Sequence, residues 1–174
     1  MSGVFTLTII SVFLTILIES IIFILQIKGR KLTRWFGKNA FSLHMVLTCS
    51  FWIVTFCLIV ILQFEKHPLF HNSILLKYTG LILLISGLIL ATWAFKLLGL
   101  KRSLGLNFFL ENVPVVENIL YKYLKNPEDY GLWIALVGFA VFSRSFYNLI
   151  IAFEFIIIMI PHIMLENKPL KTNS

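Results

Sequence analysis

Five apolar runs dominate this sequence, and they are too long and too poor in charge to fill the core of a small soluble domain. They cover about residues 3–27, 40–64, 78–100, 127–143 and 146–165. A helix needs about 20 mostly apolar residues to cross the hydrocarbon layer, and each of the first three exceeds that. The first is broken only by Glu19. It has no basic start and no small-residue exit, so it reads as an uncleaved span and not as a signal peptide. Composition agrees: 13% of the residues are charged, against about 25% in soluble domains. The expected fold is all-α, a single polytopic transmembrane bundle of about five spans over residues 1–174.

The last two runs form a helical hairpin. Asn126 suits an N-cap, Pro127 the first helical position, and Glu128 and Asp129 the first turn. Counted from Pro127, the fourth helix is roughly 26 Å long, barely a crossing. Arg144-Ser145 turns the chain, and Pro161 is expected to kink the returning helix. Between the third and fourth runs, Val115, Val116, Ile119, Leu120, Tyr123 and Leu124 share one face of a helical period starting at Pro114. Such a helix would lie in the headgroup plane on the cytoplasmic side.

The formal charge of +7 matters for where it falls. Lys28, Arg30, Lys31, Arg34 and Lys38 fill the first loop with no acid among them. The positive-inside rule then places that loop in the cytoplasm. Alternation puts the N-terminus and residues 65–77 outside, and residues 101–129 and the C-terminus inside. A topology signal facing an anionic inner leaflet accounts for the loop better than a nucleic-acid site does.

Ionisable residues inside a bilayer are costly and are candidates for function. Glu19, His44, Lys96, His162 and Glu166 all fall towards the cytoplasmic side, where together they would make a polar pocket open to the cytoplasm. Two bland readings stand beside that one: Lys96 snorkelling to the interface, and Glu19 as its structural partner. His162 and Glu166 lie four apart and share a helix face. They form either an interfacial pair closing the span or one wall of a ligand site, beside the Ile157 carbonyl that Pro161 leaves without its helical partner. Glu154 lies deeper, with no evident partner. Cys49 and Cys57 are about 12 Å apart on one helix, too far for a disulfide, and read as packing residues. His67 and His71 flank Pro68 and make a poor metal pair. No GxGxxG or P-loop is present.

The stretch Leu120-Tyr121-Lys122-Tyr123-Leu124-Lys125-Asn126-Pro127-Glu128-Asp129-Tyr130-Gly131 resembles the shared motif of membrane methyltransferases, the isoprenylcysteine carboxyl methyltransferases and the phospholipid N-methyltransferases. Tyr121, Tyr123, Pro127 and Gly131 match the first type. Leu124, Asn126, Pro127 and Gly131 match the second. Upstream, Leu98-Gly99 followed by Asn107-Phe108-Phe109 looks like the phospholipid enzymes' Leu-Gly and Asp-Tyr-Phe segments. Downstream, Leu165-Glu166-Asn167-Lys168-Pro169 looks like their Glu-Glu-Pro end. Departures are the single Glu166 where an acidic pair is usual, Asp129 where an aromatic is frequent, and no Tyr-rich tail.

The resemblance implies S-adenosylmethionine as cofactor, held by Gly99, Tyr121, Tyr123, Leu124, Asn126, Pro127, Gly131, Glu166 and Asn167. The physical reading runs alongside it. Tyr121, Tyr123 and Trp133 offer ring faces to a sulfonium, unless the tyrosines serve only as interfacial anchors. Glu166 offers a carboxylate to the ammonium, and the helix start after Asn126 offers N–H groups to the carboxylate. Methyl transfer needs alignment and the exclusion of water, not a covalent nucleophile. An amine acceptor must also lose a proton, which assigns His162 or Glu166 as the base. The expected acceptor is lipid-like, an amine-headed phospholipid first and a prenylated cysteine or similar lipid acid second. Lys122, Lys125 and the loop 28–38 would hold a lipid phosphate or the inner leaflet. The rival expectation is a non-catalytic scaffold or transporter subunit.

Overall fold

The computed structural model describes residues 2–65, 68–110, 118–124 and 126–166, and of Glu166 the backbone alone. The architecture is all-helical, with a single isolated bridge, Leu69 to Ser145, among the described residues. The helices are α1 (Gly3–Ile27), α2 (Lys31–Phe36), α3 (Ala40–Ile61), α4 (Ile74–Leu98), α5 (Leu100–Ser103), α6 (Leu106–Phe109), α7 (Ile119–Tyr123), α8 (Pro127–Phe142) and α9 (Phe146–Glu166). Four stretches are long and apolar enough to cross a membrane: Gly3–Ile27, Lys31–Phe64, Ile74–Leu98 and Phe146–Leu165. At 16 residues α8 is shorter, about 24 Å, and lies along α4 as the fifth member of the bundle.

The ends of α1 follow from its sequence. Ser2 caps it, its hydroxyl accepting from the Phe5 N–H at 3.1 Å, the ordinary use of serine at that position. At the other end Gly29 and Arg30 both take positive φ, and the chain turns into α2. α3 continues as a single 3-10 turn, Leu62–Phe64, so the second run keeps its expected length. α4 begins earlier than expected and ends at Gly99, whose φ is +81°. Lys77, expected in the outer loop 65–77, is the fourth residue of that helix. Its ammonium lies 5.8 Å from the centre of the Phe142 ring, a cation–π contact that carries the charge inside the helix.

α4 and α8 run antiparallel with their backbones almost touching. Gly80 faces Val141 and Phe142, Gly138 faces Leu83 and Leu84, Gly87 faces Ala135, and Gly131 faces Ala91. A Cβ built on Gly131 would stand 2.5 Å from the Ala91 nitrogen. No side chain fits between these helices, and small residues are the usual means of such contact in lipid.

α1 is central to the rest. It packs antiparallel on α3 and parallel to α9. Phe5, Val12 and Ile16 of α1 meet Ile59 and Leu62 at the α3 end and Ile151, Phe155 and Met159 of α9 in one buried cluster. Phe5 stacks on Tyr147 at 4.0 Å. α1 and α3 are also joined through hydroxyls. Ser11 and Thr55 are 2.7 Å apart, Thr15 and Thr55 2.9 Å, and Thr15 donates to the Ser11 carbonyl at 2.7 Å. Each hydroxyl has one proton, so the chain runs Ser11 to Thr55 to Thr15 to the carbonyl.

The segment after Gly99 is folded back onto the bundle. α6 buries Phe108 and Phe109 against Ile22, Phe23 and Ala40. Arg30 holds it by donating to the Phe109 carbonyl at 2.9 Å. Of the interfacial helix expected from Pro114, only Ile119–Tyr123 is helical among the described residues. Residues 111–117 lie outside them. α9 runs unbroken through Pro161.

Candidate functional site

At the end of the bundle that carries residues 28–38, the described side chains form two polar groups, one at the first turn of α8 and one between α1, α3 and α9. The first is a clasp between α4, α7 and α8. The register fixed by the glycine contacts brings Glu128 beside the Ala94 turn of α4. Tyr121 reaches in from α7, with its hydroxyl 3.1 Å from the Ala94 carbonyl and 3.1 Å from Glu128 Oε2. One O–H proton serves both acceptors. Glu128 is 5% exposed, as is Asn126, and Pro127 is buried too. Gly131 follows one turn on, where it closes on Ala91.

The second group lies between α1, α3 and α9. His162 Nδ1 is 3.0 Å from Ser20 Oγ, and its Nε2 is 4.0 Å from Glu19 Oε2. The Trp52 indole N–H donates to Glu19, and the charge of Asp129 acts on the same carboxylate. The His162 ring stacks on Phe23 at 5.1 Å, and Phe23 stacks on Phe108 at 4.3 Å. His44 is nearby, its Nε2 2.9 Å from the Leu104 carbonyl. A carbonyl only accepts, so Nε2 carries the proton and Nδ1 accepts from Thr48 at 3.2 Å in the neutral ring.

The structure thus divides the residues singled out in the sequence. Tyr121, Asn126, Pro127 and Gly131 come together at the clasp. Leu124 is half-buried beside them in the chain, and Gly99 ends α4 one turn beyond Ala94. Tyr123 points away, 74% exposed, which suits an interfacial anchor. His162 is placed against α1 and not at the clasp. The Glu166 side chain, Lys125 and Asn167 lie outside the described residues.

Glu19, His44 and His162 do gather, around Phe23. They are 6%, 1% and 3% exposed, so they form a packed polar core and not the open pocket expected. Lys96 is no part of it. It is exposed on α4, beside Ile89, Thr92 and Trp93, and the partners of Glu19 are His162 and Trp52. Glu154 keeps one carboxylate oxygen without a hydrogen bond among the described residues.

Sequence reasoning missed the role of Glu128, which it read as a dipole-stabilising acid. It also missed Ser20, Trp52 and Thr48. The signal for Glu128 was the spacing of small residues, Gly80, Gly87, Ala91 and Ala94 against Gly131, Ala135 and Gly138, which sets the register and hence the burial. Ser20, Trp52 and Thr48 had no such signal, because nothing local says which spans are neighbours. Among the described residues no group of three or more metal-ligating side chains occurs.

Comparison with known proteins adds one finding. A family model described as phospholipid methyltransferase matches residues 76–173, more than half of the chain and all of the clasp. No curated protein and no solved structure matches.

Proposed function

The chain belongs to the phospholipid methyltransferase family, and from that premise we propose that it transfers a methyl group from S-adenosylmethionine to a lipid-like acceptor at the cytoplasmic face. The preferred acceptor is an amine-headed phospholipid. The observation that carries the proposal is the clasp, because it folds the half-buried Tyr121 and the buried Asn126, Pro127 and Gly131 of the family-matched region into one corner.

The residues there fit the donor's chemistry. When bound, S-adenosylmethionine supplies an electrophilic methyl group on a sulfonium. The Tyr121 ring offers a face to that cation. Asn126 offers a buried amide, and the first turn of α8 offers backbone N–H groups to a carboxylate. Gly99, Tyr123, Leu124, Glu166 and Asn167 complete the cofactor site in this reading. The bundle aligns donor and acceptor and keeps water away, which is the main work of a one-step displacement. His162 and Glu166 take the proton that an amine acceptor must lose. For His162 the neighbouring acid is Glu19, with Oε2 4.0 Å from Nε2. Lys122, Lys125 and the basic loop 28–38 hold lipid phosphate or the anionic inner leaflet.

The test is labelled methyl transfer into membranes with each acceptor supplied, followed by base. Methyl on nitrogen survives base, whereas a methyl ester is released. Base-stable product in the phospholipid fraction is expected. Base-labile product would replace the amine with a prenylated cysteine or other lipid acid. No transfer to any acceptor would favour a non-catalytic membrane protein.

A further inference from the structure

The donor proposed above carries an ammonium group, and the sequence pattern offered it Glu166. We propose instead that Glu128 is the carboxylate that receives this ammonium, an assignment that rests on the methyltransferase reading.

Three observations support it. The first is burial without charge. Glu128 is 5% exposed, and its donors are neutral: the Tyr121 hydroxyl and its own backbone N–H. An ionised carboxylate has about four acceptor positions, and the one phenolic proton nearby is shared with the Ala94 carbonyl. Capacity therefore remains for the N–H groups of a cation. A buried carboxylate that meets a cation makes a strong charge-assisted hydrogen bond, and one that does not is costly.

The second is position. Glu128 lies between Asn126 and Gly131 in the matched region, beside the last turns of α4 before Gly99. The neighbouring acid, Asp129, is half-buried, and its charge acts on Glu19 of α1. Glu166 belongs to the end of a different helix, α9.

The third is that no competing cation is paired with it among the described residues. Of the described lysines on the two helices flanking it, Lys96 of α4 and Lys122 of α7 are exposed. Lys96 lies in a groove with Ile85, Leu88, Ile89, Thr92 and Trp93, on the face of α4 turned away from α8.

The experiment compares two ligands on the purified full chain in detergent: S-adenosylhomocysteine, and the same molecule without its α-amino group. Wild type is expected to prefer the amino form about tenfold or more, the scale of one charge-assisted contact. Glu128→Gln should weaken the amino form by a similar factor and leave the deaminated form within about twofold, so that the preference disappears. Retained binding of the deaminated form shows that the variant is folded. Should Glu128→Gln bind neither, Glu128→Asp decides, because it keeps the charge and should keep part of the preference. Glu166→Gln should keep all of it. A preference that survives Glu128→Gln, or that Glu166→Gln removes, overturns the assignment. So does a wild type that binds both forms equally, with the methyltransferase reading intact. A folded wild type that binds neither overturns that reading and the assignment together.

Discussion

The two helix pairs of this bundle are held in opposite ways. α4 and α8 meet backbone to backbone over glycine and alanine, with a lysine over a phenylalanine ring at one end and a tyrosine hydroxyl at the other. α1 and α3 stand further apart and are joined by a chain of hydroxyls through Ser11, Thr55 and Thr15. In lipid the hydrophobic effect does not draw helices together, so close van der Waals contact and hydrogen bonds are the two means left. The first has no spare room and fixes register closely. The second is a sum of modest bonds, each removable. It follows that the pair in need of exact register is the one that carries the clasp, where a shift along α4 would move Glu128 away from Ala94 and Tyr121.

That contrast can be broken at single positions. The largest effect is expected at Gly138, where an added Cβ meets the backbone of Leu83 and Leu84. Gly138→Ala should force the helices apart and cost roughly 1–3 kcal/mol or more, read as a lower midpoint of thermal unfolding in detergent. Gly3→Ala makes the same chemical change where nothing lies within 4 Å, and should move the midpoint by about 0.5 kcal/mol or less. Equal effects at the two positions would refute the close packing.

A smaller effect is expected from Thr55→Val, which removes both inter-helix hydroxyl contacts at similar volume. Hydrogen bonds between membrane helices average about 0.6 kcal/mol, so a loss of about 1 kcal/mol is predicted in the same assay. Methyl transfer per folded molecule should stay at the wild-type level, since Thr55 touches neither polar group at the basic end. A loss comparable to that of Gly138→Ala would put the two pairs on the same footing.

What could be read from the sequence divides along similar lines. Hydropathy located the helices well. The first run and α1 share both ends, and the hairpin at Asn126-Pro127 and Arg144-Ser145 lies where the turn chemistry put it. The start of α4 was expected at about residue 78 and lies at Ile74, with Lys77 inside the helix and its charge over the Phe142 ring. Side-by-side arrangement was not legible from hydropathy, since glycine and alanine add little to it although they set the α4–α8 register. For the same reason Glu128 looked like a solvated first-turn acid. The proximity of His162 to Glu19 depends on α1 and α9 lying parallel, and no local pattern encodes that. The motif residues Tyr121, Asn126, Pro127 and Gly131 were legible because their spacing is short and falls at one helix start.

The most direct test of the account is equilibrium binding of S-adenosylhomocysteine to the purified chain in detergent, for wild type, Asn126→Ala and Thr55→Val. The account predicts that wild type and Thr55→Val bind alike and that Asn126→Ala, which removes a buried amide from the clasp, binds about tenfold more weakly. A folded wild type with no binding, or an Asn126→Ala variant that binds as wild type does, would contradict the placement of a methyl-donor site at the α4–α8 clasp.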